Sequence, residues 1–270
     1  MKLFISFLFT AFIVHTCYAD WPVKKKRLQF VPGYSYYHSK SYYDKLGHIT
    51  ALGDGNSYTS HYFSLYGMYG ISDRLDLLVN LPFANQRMKE NGVLLTKSGI
   101  ADISVGLAYH FPSEDLKRYF TLKGSFILPG YQNNSTPYLG YAEKGYQIGM
   151  SYSLNLSDKF YFDGEADYTR YFDQATGPNQ YFIFGTFGYA LNDFEKLTFS
   201  FSHQLSVSTD KSFSNNLAAN KDYVSGRITF GYGRRISRTV TPHLEFYFTP
   251  YGYNTGSASG ISLYAIIKVP

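Results

Sequence analysis

Cysteine is nearly absent: one in 270 residues, at position 17, beside a single tryptophan, four methionines and only 17% charged residues. Beyond the N-terminus no run approaches the roughly 18 apolar residues that a membrane-crossing helix needs, which excludes a helical membrane protein. The seven histidines, at positions 15, 38, 48, 61, 110, 203 and 243, show no paired i, i+2 or i, i+4 spacing with carboxylates. His38, Asp44, His48 and Asp54 remain as loop residues able to meet a cation, and solvated loop composition explains them as well. No glycine-rich phosphate loop precedes a helix, and "GYGRR" falls in a strand-like run, where Gly231 and Gly233 permit close packing or curvature. No metal and no cofactor are expected.

The lone cysteine belongs to "MKLFISFLFTAFIVHTCYAD". Lys2 supplies a positive start, Leu3 to Val14 an apolar stretch, and Cys17-Tyr18-Ala19 a small-x-small cleavage site, so residues 1–19 read as a secretory signal peptide. Thr16 and His15 do not suit a lipidated cysteine. The remaining chain then has no thiol, which rules out disulfides and suits a protein that crosses an oxidising compartment unfolded. Loss of Lys2 lowers the net charge from +5 to +4. Lys24, Lys25, Lys26 and Arg27 cluster in "WPVKKKRLQF"; in an exported protein they read as a basic periplasmic tail over residues 20–27, touching anionic lipid or lipopolysaccharide phosphates rather than nucleic acid.

What the chain does hold is aromatic: 28 Tyr and 23 Phe, with 24 Gly. This composition favours strands. Runs with a period of two recur from Leu28 onward. In "GYQIGMSYSLNL" Tyr146, Ile148, Met150, Tyr152, Leu154 and Leu156 alternate with Gln147, Gly149, Ser151, Ser153 and Asn155. "KLTFSFSHQLSVS" and "IADISVGLAYHF" repeat the arrangement. Twelve strands are expected, near residues 28–37, 58–70, 75–84, 99–111, 119–130, 144–156, 159–173, 179–191, 196–209, 222–235, 239–250 and 259–269.

The connections alternate in kind. "ISDR", "PSEDLKR", "SDK", "NDFEK" and "RISR" are short polar turns, whereas "HSKSYYDKLGHITALGDGNS", "NQRMKENGVLLTKS", "YQNNSTPYLGYAE", "QATGPN", "DKSFSNNLAANK" and "YGYNTGSAS" are mostly longer and rich in Gly, Asn and Ser. This parity is the mark of an up-and-down barrel in an outer membrane, with an even strand count and both termini periplasmic. Two packed sheets also alternate, but aromatics crowd the segment ends, as at Tyr36-Tyr37, Phe160-Tyr161-Phe162 and Phe246-Tyr247-Phe248, in the manner of interfacial girdles. The reading is all-β: a closed antiparallel transmembrane barrel over residues 28–270, in a bacterial outer membrane. The face formed by Leu75, Leu77, Val79, Leu81 and Phe83 meets lipid, while Asp76, Asn80 and Pro82 face inward. Pro82 gives no ladder hydrogen bond and belongs near a rim or bulge.

The pair "YGISDRLDLLVNLPF" and "SGIADISVGLAYHF" resembles the phenol-degradation MetA-pathway family of outer-membrane barrels. There a Gly-Ile-Thr-Asp-Arg-like turn opens a strand ending in Leu-Pro-Tyr, followed by a Ser-Gly-Leu-Gly-Asp-like strand start. Gly70, Asp73, Arg74, Leu81, Pro82, Ser98, Gly99 and Asp102 match; Ser72, Phe83 and Ala101 depart from the pattern. The resemblance covers Tyr58 to Phe111 clearly. It implies a barrel that moves small hydrophobic or aromatic compounds and supplies no catalytic residues. The last residues, "LYAIIKVP", depart from the terminal aromatic that barrel insertion machinery reads, leaving Tyr264, Ile266 and Val269 in that role.

Polar-face residues decide what a narrow barrel passes. Asp163, Glu165 and Asp167 form one stripe in "YFDGEADYTRYF", and Asp102, His110, Lys123, Arg227, Arg235, His243, Glu245 and Lys268 fall on polar faces elsewhere. Two readings of this lining stand together: a charged path that orients a solute, and an internal ion-pair network that fills the lumen. The leading function is passive, non-enzymatic uptake of small hydrophobic or aromatic solutes. A lipid hydrolase using His203, expected to point outward with Phe201 and Leu205, is the alternative, although "VSTDKSFSNN" offers no serine motif. Behind it stands a structural barrel with a plugged lumen.

Overall fold

Alternation with a period of two turns one face of each strand toward lipid and the other toward the interior, and the computed structural model shows this around a closed wall. It describes residues 21–172 and 175–269; the expected signal peptide lies outside them. The strands are β1 (Leu28–Tyr43), β2 (Ile49–Ala51), β3 (Ser57–Gly70), β4 (Leu75–Glu90), β5 (Val93–Ile100), β6 (Asp102–Pro112), β7 (Arg118–Pro129), β8 (Gly145–Asn155), β9 (Phe160–Tyr171), β10 (Asn179–Ala190), β11 (Glu195–Val207), β12 (Tyr223–Arg234), β13 (Val240–Phe248), β14 (Gly252–Tyr253) and β15 (Thr255–Val269). Every pairing is antiparallel, neighbours in sequence pair in space, and β15 returns to β1 to close the sheet.

Three pairs of segments are each one wall with an interruption: β2 with β3 along β1, β5 with β6 along β4, and β13 with β14 along β12. The fifteen segments therefore make twelve walls, as the sequence rhythm predicts. The break between β5 and β6 has a local cause. Asn80 and Phe83 of β4 pair with Ser104 and Ile100, so three residues, Ala101 to Ile103, stand against two. Pro82 sits at this bulge, lacking an N–H to give and accepting the amide of Ala101 at 3.0 Å.

Two expectations of connection length are corrected. "NQRMKENGVLLTKS" is not a loop: β4 and β5 run to a two-residue turn at Asn91-Gly92, both with positive φ (51° and 81°). Asn-Gly is the signature of such a hairpin turn. Part of the segment after Tyr43 likewise folds back as β2. β1, β4 and β15, at 16, 16 and 15 residues, exceed the 9–11 or so that cross a bilayer, and they extend past the lipid at the end opposite the short turns.

The outward faces carry exposed Leu81, Phe83, Leu107, Ile148, Met150, Ile183, Phe199 and Leu263. Aromatics ring both ends of this band: Tyr109–Phe111–Phe120 and Phe160–Tyr189 near the short turns, Tyr146–Tyr168–Tyr181 and Tyr146–Phe172 near the loops.

Candidate functional site

The inward faces do not fill the lumen evenly. On the side of β4 and β6 to β9, side chains satisfy one another. His110 and Asp76 are 2% and 0% exposed; Nε2 of His110 donates to Asp76 Oδ2 at 3.0 Å, and Nδ1 shares a hydrogen bond with the Thr121 hydroxyl at 2.9 Å. A carboxylate only accepts, which fixes the proton on Nε2. Beside them Lys123 and Glu165 form a 2.8 Å ion pair, and the Gln147 side-chain amide donates to Asp167 at 2.9 Å. Two of the three carboxylates in the β9 stripe are thus tied into the wall.

The opposite side encloses a chamber of about 800 Å³, walled by β9 to β13, β15 and the start of β1 and reaching the end that carries the short turns. Asp163, Arg227, His243 and Glu245 line it together with Tyr161, Phe182, Phe184, Tyr247 and Tyr264. Glu245 accepts the Tyr264 hydroxyl at 2.8 Å, and the His243 ring stacks on Tyr264 with 4.5 Å between centroids. The Arg227 guanidinium lies 4.1 Å from the centroid of Tyr247, whose hydroxyl donates to the carbonyl of Tyr36 at 2.8 Å.

Arg227 and Tyr247 also border a second, smaller cavity of about 180 Å³ toward the loops. Seven tyrosines line it, Tyr37, Tyr58, Tyr62, Tyr141, Tyr171, Tyr223 and Tyr247, with Asp102, Gln86 and Gln180. Its roof is the segment after β7 and the segment after β11. The latter carries a short 3₁₀ turn, Leu217–Ala219, whose Leu217 is buried against Tyr37, Tyr58 and Met88. Lys221 and Glu143 lock the two segments together at 2.7 Å, Glu143 being wholly buried. Tyr141, in this roof, has its phenol pushed well above the usual range by burial.

The opposite mouth is occupied by residues 21–27, expected as part of a basic periplasmic tail. Trp21 packs on Tyr119 at 4.8 Å, Val23 joins Met68, Leu78 and Ala108, and the Val23 amide donates to Asp76 Oδ2 at 3.0 Å. The lysine cluster forms a tight turn, with Lys24 and Lys26 at φ of 73° and 63°. Lys26 N–H donates to Gly70 at 2.8 Å, and Gly70 N–H to Arg27 at 3.0 Å. The basic side chains stay exposed while the backbone is held. The sequence signal was present: the apolar Trp21-Pro22-Val23 precedes the cluster, and a solvated tail gains nothing from it.

Arg235 is a further correction. It lies in the exposed turn after β12, its guanidinium 5.2 Å from the Phe194 ring and away from the lumen, because the wall ends one residue earlier. His203 keeps its outward parity but is only 4% exposed. Tyr251, placed by the interruption between β13 and β14, lies over Gly226 and brings its hydroxyl to 3.4 Å from His203 Nδ1. Lys196 was missed: it shares the parity of Thr198 and Ser200 and lines the chamber, which extending that strand's polar face by one repeat would have revealed.

A barrel of this build has relatives. The family model described as "Putative MetA-pathway of phenol degradation" matches residues 53–264. The chain belongs to that family. Among solved structures it is similar to the COG4313 outer membrane channel from Pseudomonas putida F1, at 14% identity and a TM-score of 0.77, covering 94% of this chain and all of that one. It is also similar to the NanC porin, at 13% identity and a TM-score of 0.56, covering 90% of this chain and all of the porin. No curated protein matches the sequence. At such identities the likeness is one of fold, that of the outer-membrane barrels; the family member's own lumen must be read from its residues.

Proposed function

We propose that this family member is a passive outer-membrane channel for small solutes with an aromatic or apolar body, non-enzymatic, with both termini in the periplasm and the long loops outside. The observation that carries this is the chamber of about 800 Å³ inside a closed wall, lined by Phe182, Phe184 and Tyr247 together with Asp163, His243 and Glu245. That volume falls in the range of small-molecule sites. Solutes enter through the tyrosine-lined cavity and pass Arg227 and Tyr247 into the chamber, where Asp163, His243 and Glu245 stand on their path. Asp102 serves the entry, holding the roof through Tyr131. His110, Lys123, Glu165 and Asp167 support the wall instead. Lipid and lipopolysaccharide surround the barrel, which the insertion machinery places in the membrane.

The plugged barrel is a second reading with a specific observation behind it: residues 21–27 occupy one mouth and the joined loops the other. Uptake separates the two. Phenyl glucoside does not cross lipid unaided; its entry into liposomes carrying the refolded chain, above empty liposomes, supports the channel. No entry, with folding established by heat-dependent gel mobility, leaves the plugged barrel.

A further inference from the structure

The chamber is charged unevenly, and the sign follows from which side chains the fold sends into it. Lys24 and Arg27 of the docked segment, Arg238 of the last short turn and Lys268 of β15 stand exposed around its mouth, while Lys196 of β11 and Arg227 of β12 lie deeper; Asp163 and Glu245 are the only carboxylates among its described lining residues. Four cations thus ring the mouth, and two cations face two anions within. Other acidic groups of the lumen are engaged elsewhere: Glu165 with Lys123, Asp76 with His110 and Val23, Asp167 with Gln147, Glu143 with Lys221, and Asp102, at the entry cavity, with Tyr131.

Arg227 is the distinctive member. Among the described residues it makes no ion pair; an aromatic face holds it. Stacking on Tyr247 leaves the in-plane N–H donors of a guanidinium available, in the fork that matches a carboxylate. Tyr247 is itself fixed by Ser35 and the Tyr36 carbonyl, so the guanidinium is presented on a rigid support. Because Arg227 borders both cavities, a solute going from one to the other passes it. Phe182 and Phe184 offer apolar surface in the chamber, and Lys196, farther along it, lies 5.5 Å from the Tyr161 ring.

We propose that the solute is a small aromatic anion, of the carboxylate class, recognised at Arg227 and drawn on toward the cations that ring the mouth. This rests on the channel reading above and narrows it. A low-dielectric wall concentrates the field of like charges and enriches counter-ions in such a cleft, so the preference is a property of the summed lining, with Arg227 at the border of the two cavities.

The test uses the full mature chain in liposomes and three impermeant aromatic probes: benzenesulfonate, phenyltrimethylammonium and the neutral phenyl glucoside. The expected result is entry of benzenesulfonate about tenfold faster than phenyltrimethylammonium, a preference that shrinks as salt is raised. Arg227→Gln and Lys196→Gln each reduce the ratio, and Asp163→Asn raises it. The opposite signs of these changes separate charge selection from damage to the fold, and the wild-type ratio stands even if a variant does not fold. Entry of the cation as fast as the anion overturns the proposal while the neutral probe's entry keeps the channel. Exclusion of all three overturns the channel reading and this inference with it.

Discussion

A Cβ on Gly70 would collide with the carbonyl oxygen of Lys24, so the glycine of the "YGISDR" turn is required by the segment that crosses it. Gly70→Ala displaces residues 21–27. The protein has one tryptophan, and Trp21 reports its own release: its emission moves to the red and acrylamide quenches it more strongly, while gel mobility keeps the folded form. Asp76 acts on the same segment from inside. Asp76→Ala leaves His110 and the Val23 amide without their buried acceptor, a loss of about 1–3 kcal/mol. Both a lower unfolding temperature and the same tryptophan signal should follow; an unchanged Trp21 spectrum would show that Asp76 does not hold the segment.

The matched motif is thereby divided between two elements. Gly70 and Asp73 lie under the N-terminal segment, with Asp73 accepting the Lys25 amide at 3.4 Å. Gly99 and Asp102 lie beside the roof, where a Cβ on Gly99 would stand 3.0 Å from Leu139. In the roof, Glu143→Ala breaks a buried pair with Lys221, a change that costs about 3–5 kcal/mol where neither partner is solvated. The expected outcome is more rapid proteolysis of the segments at 130–144 and 208–222 with the strands untouched. At the β4–β5 hairpin, Asn91 and Gly92 hold left-handed backbone; replacing both with Ala strains each by about 1 kcal/mol. Protease cutting within 85–98 should rise, with no change in solute entry.

For the whole molecule the consequence is a lumen with two halves. One is filled by the Asp76–His110–Thr121 and Lys123–Glu165 groups; the other is hollow. Substitutions therefore separate by side: Glu165→Gln, leaving Lys123 without its 2.8 Å partner, should lower stability more than selectivity, whereas Arg227→Gln should do the reverse. Thermal unfolding and the anion-to-cation entry ratio, measured on the same preparations, check this.

Much of this organisation is legible without coordinates. Alternation in "GYQIGMSYSLNL" assigns outside and inside correctly because lipid and lumen impose opposite polarity at every second residue. Polar connections recur between the runs because the chain must reverse at each membrane face, so twelve walls follow from the count of reversals. The motif around Gly70 marks the family. Parity, however, places a residue on a face and says nothing of depth or partner. Arg235 has inward parity yet lies past the wall's end, and Glu165 and Asp163 share a stripe although one pairs with Lys123 and the other lines the chamber. Apolar Phe182 and Phe184 point inward beside a polar Thr186, against the binary pattern.

The sequence by itself determined the barrel, its strand number and its lipid face, since these depend on local periodicity and on water being absent from hydrocarbon. Only the tertiary structure decided which charges meet across the lumen, that residues 21–27 return to its mouth, and that one half is hollow. Those outcomes depend on closure of β15 on β1, which brings residues more than two hundred positions apart, such as Ser35 and Tyr247, within a hydrogen bond of each other.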